Sequence, residues 1–133
     1  MTKEEFVRFV SENYGVSADN PFSDIDALVF RHTENRKWFA IIMRVERGKI
    51  AKDGGERLVD ILDVKTDPLI RADLLNKKGV YTAYHMNKVH WLTVVLEEVA
   101  KDDLEFLLDL SFSLTKARSR KTKRSNDSSN CSF

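Results

Sequence analysis

The sequence predicts an α+β domain in which helices pack on one face of a mainly antiparallel sheet. Two observations carry this. Apolar residues recur at helical spacing near both ends of the folded region, whereas β-branched and aromatic runs fill the space between. The early links between those runs are short enough to be hairpins, which argues against a parallel, doubly wound arrangement.

Each element follows from local signals. Thr2-Lys3-Glu4-Glu5 forms a capping box, in which Thr2 accepts from a backbone N–H and Glu5 reaches back. Phe6, Phe9, Val10 and Tyr14 then fall on one face and Gly15 closes the run, which predicts a helix over 3–13. A polar loop through Pro21 carries Phe22, expected as a core plug. "ALVFRH" at 27–32 and "RKWFAIIMRVE" at 36–46 predict two strands around the turn Thr33-Glu34-Asn35. Asp53-Gly54 is a tight-turn dipeptide, leading into a third strand over 57–65. Asp67-Pro68 reads as a helix start, with an N-cap acceptor and then proline. That second helix is expected to run to about Lys77 and stop at Gly79. A last strand is expected over 91–97. Asp102 with Glu105 opens a third helix through about Arg118, with a buried stripe of Leu104, Leu107, Leu108, Ser111 and Leu114 broadened by Phe106 and Leu110. The predicted order is αβββαβα.

Composition bounds the function. At 133 residues the chain has the size of one domain with a real core. Its longest apolar run, Trp38 to Met43, is far short of the ~20 residues that span a bilayer, so no membrane partner is expected. The N-terminus carries acids and no small-residue cleavage site, and a cytoplasmic, monomeric protein is the expectation. With Cys131 the single cysteine, no intramolecular disulfide is expected, and with two residues after it no prenylation box is expected either. Of the 22 Lys/Arg, six lie in "KARSRKTKR" at 116–124, whereas only Asp127 among the 21 acids lies beyond residue 115. The chain therefore divides into a mildly acidic domain, 1–115, and a basic, Ser/Asn-rich tail, 116–133, expected to be solvated and disordered. Such a run can also neutralise phosphates of nucleic acid or anionic membrane.

The densest chemistry lies in "AYHMNKVHW", Ala83 to Trp91. His85 and His90 are five residues apart, which places them on opposite faces of a strand or about 140° apart on a helix. Neither geometry gives one ion two imidazoles, and there is no HExxH or cysteine pair, so no metal and no cofactor are expected. No nucleophile motif accompanies the histidines, and Gly54-Gly55 belongs to a turn rather than a phosphate loop, so no catalytic residue is assigned. Trp91 and Met86 are expected as structural anchors in the core. His85, Asn87, Lys88 and His90 are expected to form a binding loop, with Tyr84, Lys77, Lys78, Arg36 and Lys37 as supporting contacts.

The motifs "PF" at Pro21-Phe22, "KWFA" at Lys37 to Ala40 and "VKTDP" at Val64 to Pro68 occur in order. "AYHMNKVHWLTV" from Ala83 and "LLDLSFSL" at Leu107 to Leu114 complete the series. Together they resemble the YjbR/MmcQ family over about residues 3–115. The resemblance implies a frataxin-like (CyaY-like) fold and DNA binding through a double-wing arrangement in which sheet, hairpin and loop contact the duplex. Thr82 stands where the family often has proline, and Phe112 where it often has tyrosine. Frataxins bind iron on a carboxylate ridge of the first helix. Here that helix offers only Glu4, Glu5 and Glu12, mixed with Lys3 and Arg8, so iron binding is not carried over. The expected function is non-enzymatic binding with DNA as partner. A small-ligand or protein-binding domain, and a metal- or His-dependent enzyme using His85 and His90, stay open as alternatives.

Overall fold

The computed structural model describes residues 1–22 and 24–117. Helix α1 spans Lys3–Tyr14, one residue beyond expectation. Its capping box is present: the Thr2 hydroxyl accepts from the Glu5 N–H at 3.1 Å, and the Thr2 N–H donates to Glu5 Oε1 at 2.8 Å. Gly15, with φ +66°, ends it.

Strands β1 (Ala27–Arg31), β2 (Trp38–Glu46) and β3 (Leu58–Lys65) follow as an antiparallel meander. The register of β1 against β2 shifts between Phe30 and Arg31, a bulge that passes over Phe39 on β2. The β2–β3 connection is longer than the two-residue turn expected at Asp53-Gly54. A 3-10 turn, Arg47–Lys49, intervenes, and the Gly48 and Arg47 N–H groups donate to Gly55 O and Arg57 O, each at 2.8 Å. The left-handed position is Gly55, φ +70°, rather than Gly54.

The second helix is a larger departure. Asp67 accepts from the Leu69 N–H at 2.9 Å but caps a single turn, and α2 covers only Arg71–Leu74. One turn is enough because Leu74 is the sole residue of α2 that reaches the core, so no apolar stripe sustains a longer helix. The chain reverses at Gly79, φ +83°, into a strand the sequence reading did not anticipate, β4 (Val80–Thr82). It pairs antiparallel with β5 (Trp91–Val95). The sheet order is β1-β2-β3-β5-β4 and the element order αβββαββα. Helix α3, Lys101–Thr115, begins at Ala100 without a side-chain cap. Asp102 and Asp103 sit in its first turn, where they complement the helix dipole. The expected end at Arg118 lies outside the described residues.

Alternation along the central strands builds two apolar faces. Leu62 and Val64 of β3, with Ala40, Ile42, Leu92 and Val94, meet Phe6 and Val10 of α1, Leu74 of α2, and Leu104, Leu107 and Leu108 of α3. The helices therefore cover one face, as expected. Leu114 is only half-buried, and Phe106 is 49% exposed rather than part of the stripe; Thr115, four residues after Ser111, takes the buried place. Val59, Ile61 and Val95 form the second cluster on the other face, under Met43, Val45, Ile50, Tyr81 and Tyr84. Phe22 is half-buried edge-on against Trp38, centroids 6.0 Å apart, and is no core plug.

Candidate functional site

Because every neighbouring pair in the sheet is antiparallel, two hairpins flank β3. The loop of the β1–β2 hairpin, 32–37, and that of the β4–β5 hairpin, 83–90, emerge at the end where β3 finishes. With strands ~4.8 Å apart, β2 and β5 start only about 10 Å from one another. The "AYHMNKVHW" stretch is thus a hairpin loop, not a link between a helix and a strand.

Its interior is held by its own polar groups. Asn87 Oδ1 accepts from the N–H groups of Val89 at 2.9 Å and His90 at 3.1 Å, and Asn87 O accepts from Trp91 N–H at 3.0 Å. This is the Asx turn that asparagine favours. Lys88 folds back, its ammonium donating to Ala83 O at 2.6 Å, while Lys88 O accepts from Arg71 Nε at 2.6 Å. The Thr66 N–H donates to His90 O at 2.8 Å, tying the loop to the residues after β3. His85 has φ +64° and is exposed, its ring tilted against Tyr84 with centroids 4.0 Å apart. His90 is also exposed. Trp91 and Met86, expected in the core, are half-buried and belong to neither apolar cluster. The loop is anchored by hydrogen bonds rather than by their burial.

The other hairpin loop is tied to α3. His32 is buried, and its Nε2 lies 2.9 Å from Thr115 Oγ1. That hydroxyl already donates to Ser111 O, so the imidazole is the donor here. Burial lowers the His32 pKa and so favours the neutral ring, against a smaller opposing contribution from the Phe112 backbone. Asn35 donates to Thr115 O at 2.9 Å. These bonds bring the last turn of α3, and Lys116 after it, to the same end of the sheet as Arg36 and Lys37. Arg36 too has positive φ, +64°.

Lys77 and Lys78 do not join them. They precede β4, whose first residue pairs with Val94 at the far end of the sheet, and Lys77 forms an ion pair with Asp103 at 3.4 Å. The far end is rich in such pairs: Arg47 with Glu98 at 2.5 Å and Arg57 with Glu97 at 2.5 Å. At the loop end, none of Arg36, Lys37, Lys65, Arg71, Lys88 or Lys116 is in an ion pair among the described residues. Arg71 and Lys65 escaped the sequence reading because their placement depends on the short α2 and on the strand order.

Asp63 was also missed. It is fully buried on β3 opposite Thr93, whose hydroxyl donates to Asp63 Oδ1 at 2.5 Å and accepts from the Tyr84 N–H at 2.8 Å. Asp63 Oδ2 has no hydrogen-bond partner among the described residues. Burial pushes this carboxyl up to about 7, opposed by the Thr93 hydrogen bond and the Lys88 charge. The available signal was an acid inside the otherwise apolar "ILDV". Among the described residues, no group of three or more His, Cys, Asp or Glu could hold a metal, and no helix is long and apolar enough to cross a membrane.

Fold and site together define a small α+β domain that offers two hairpin loops at one end of an antiparallel sheet. The chain belongs to the YjbR family, whose model matches residues 12–114. The Bacillus subtilis protein YyaQ, itself named as uncharacterized, is 39% identical over 119 residues, covering 87% of this chain and 99% of YyaQ. A crystal structure of a Pseudomonas syringae protein is 36% identical with a TM-score of 0.83, covering 87% of this chain and all of that one. A Deinococcus radiodurans protein, DR2400, titled with the domain name DUF419, is 25% identical with a TM-score of 0.65, covering 91% of this chain and 85% of its own.

Proposed function

We propose that this YjbR-family domain is a non-enzymatic, cytoplasmic DNA-binding protein that grips the phosphate backbone with the loop end of its sheet. The observation that carries the reading is the group of cations gathered at the loop end. Arg36, Lys37, Lys65, Arg71, Lys88 and Lys116 share that end without an ion pair among the described residues, beside Arg31, which pairs with Asp19; at the far end Arg47, Arg57 and Lys77 are paired and Lys49, Lys52 and Lys78 are not. Cations without an ion-pair partner suit phosphate oxygens, whose contacts position a protein on a duplex without reading its sequence. Lys116, which lies at this end, opens the basic run of the sequence. Two hairpins flanking β3 support a double-wing mode of contact, and helices confined to one face support a CyaY-like reading. A non-catalytic role fits the loop chemistry: Asn87 Oδ1 is spent on the loop's own backbone.

Titrating the full chain with a labelled duplex across a salt series tests this. Affinity is expected to fall steeply and log-linearly with salt, as counterion release requires. Absence of binding at low salt, or binding indifferent to salt, would refute it.

A further inference from the structure

Two exposed aliphatic side chains stand among the cations of the loop end. Leu69 is 90% exposed and Val89 54% exposed. Their turns are built alike. Asp67 Oδ1 accepts from the Leu69 N–H and Asn87 Oδ1 from the Val89 N–H, each at 2.9 Å, so each aliphatic residue is second after an Asx cap. The turns are also bound to each other: Thr66 N–H donates to His90 O at 2.8 Å, and Arg71 Nε donates to Lys88 O at 2.6 Å. One bond lies on each side of the pair, so Leu69 and Val89 are both exposed on crosslinked turns.

We infer that Leu69 and Val89 form a paired aliphatic wedge that presses on the bases of a DNA duplex from its groove, while the surrounding cations hold the backbone. This rests on the phosphate-binding reading and adds a contact to the bases that it lacks. Charge complementarity selects the occupant: Arg71 and Lys88 border the pair, and with Arg36, Lys37, Lys65 and Lys116, none in an ion pair among the described residues, they outnumber the acids of this end, Glu34, Asp67 and Asp73. An apolar partner alone would leave these charges unanswered. Branched aliphatic side chains are the type that groove-binding proteins set between base steps, kinking the duplex in exchange for wider contact. Flexible pyrimidine–purine steps yield most easily, so the wedge gives a preference for deformable sequence rather than a hydrogen-bonded code.

The test is Leu69→Ser with Val89→Ser in the full chain, alongside the unaltered protein. Both positions are exposed, and a melting curve checks that the fold is kept. The probe is a duplex carrying 2-aminopurine at a central TA step, titrated across salt. The unaltered protein is expected to raise 2-aminopurine fluorescence on binding, reporting unstacking. The double variant should lose that rise and bind about tenfold more weakly, with the salt slope unchanged because no phosphate contact is removed. Salt-dependent binding with equal affinity and fluorescence in both proteins overturns the wedge and leaves the phosphate reading standing. No binding by the unaltered protein overturns both. Concentration-dependent dimers that vanish in the variant, with DNA affinity unchanged, overturn the wedge in favour of a contact between two copies.

Discussion

Arg36 and His85 share one backbone conformation, φ +64°, in the two hairpin loops that flank β3. They are the two non-glycine residues with positive φ among the described residues, and both carry side chains suited to an anion. Left-handed backbone costs a side-chain-bearing residue about 1 kcal/mol or more, and such outliers gather at functional sites.

Glycine would relieve that strain. Arg36→Gly and His85→Gly are expected to leave thermal stability unchanged or raise it by up to ~1 kcal/mol, partly offset by the freer unfolded chain. Both should weaken duplex binding. A clear loss of stability on denaturant unfolding would mean the side chains serve the fold.

Asn87 is the converse case. Its Oδ1 satisfies two backbone N–H groups, so Asn87→Ala should cost ~1 kcal/mol, in the range of lost caps, while Asn87→Asp retains the acceptor and most of the stability. Equal melting of the Ala and Asp variants would remove the Asx turn from the account.

Ser111 fastens α3 to the sheet. Its hydroxyl accepts from the Lys65 N–H at 2.8 Å and donates to Phe39 O at 2.6 Å, in a fully buried position. Ser111→Ala strands both groups and is expected to cost ~1–3 kcal/mol. Because Lys65 ends β3 at the loop end, hydrogen exchange there should quicken in the same variant.

Asp63 gives a pH dependence of unusual sign. Its folded pKa is raised from 3.8 to about 7, so the folded state keeps a proton that the unfolded chain has already lost. Its contribution is greatest below pH 4 and is lost as the pH rises to about 7, the reverse of a paired carboxylate. At ~1.4 kcal/mol per unit, the rise from 3.8 to about 7 sets the full swing on the order of 4 kcal/mol. Asp63→Asn should therefore be more stable than the unaltered protein at pH 8, with the difference shrinking towards pH 4. A difference constant across this range would contradict the assignment.

The sequence made the strongly patterned elements legible. The capping box at Thr2, the apolar runs of β1 to β3 and β5, and the Leu104–Ser111 stripe were each found within a few residues, because burial there follows a repeating period. Where local signals met a global requirement they misled. Asp67-Pro68 starts a turn in any context, but only Leu74 had core to reach, and three residues of β4 are too few to show a period. In the site, Arg36, Lys37, His85, Asn87, Lys88 and His90 were legible as loop residues. Lys77 and Lys78 were misplaced because sequence proximity to the loop hid the intervening β4. Leu69, Arg71 and Asp63 depend on which turns and strands become neighbours, which no local pattern states.

The most direct measurement compares charge reversal at the two ends of the sheet in the full chain. Arg36→Glu with Lys37→Glu alters the loop end, and Lys77→Glu with Lys78→Glu the far end, each titrated with duplex DNA across salt. Reversal at the loop end should weaken binding at least about tenfold and flatten the salt slope, whereas reversal at the far end should change neither appreciably. Equal losses from both ends would show a diffuse charge effect and contradict a localised grip. So would binding abolished by neutralising Arg118 to Arg124 alone yet unmoved by reversal at Arg36 and Lys37.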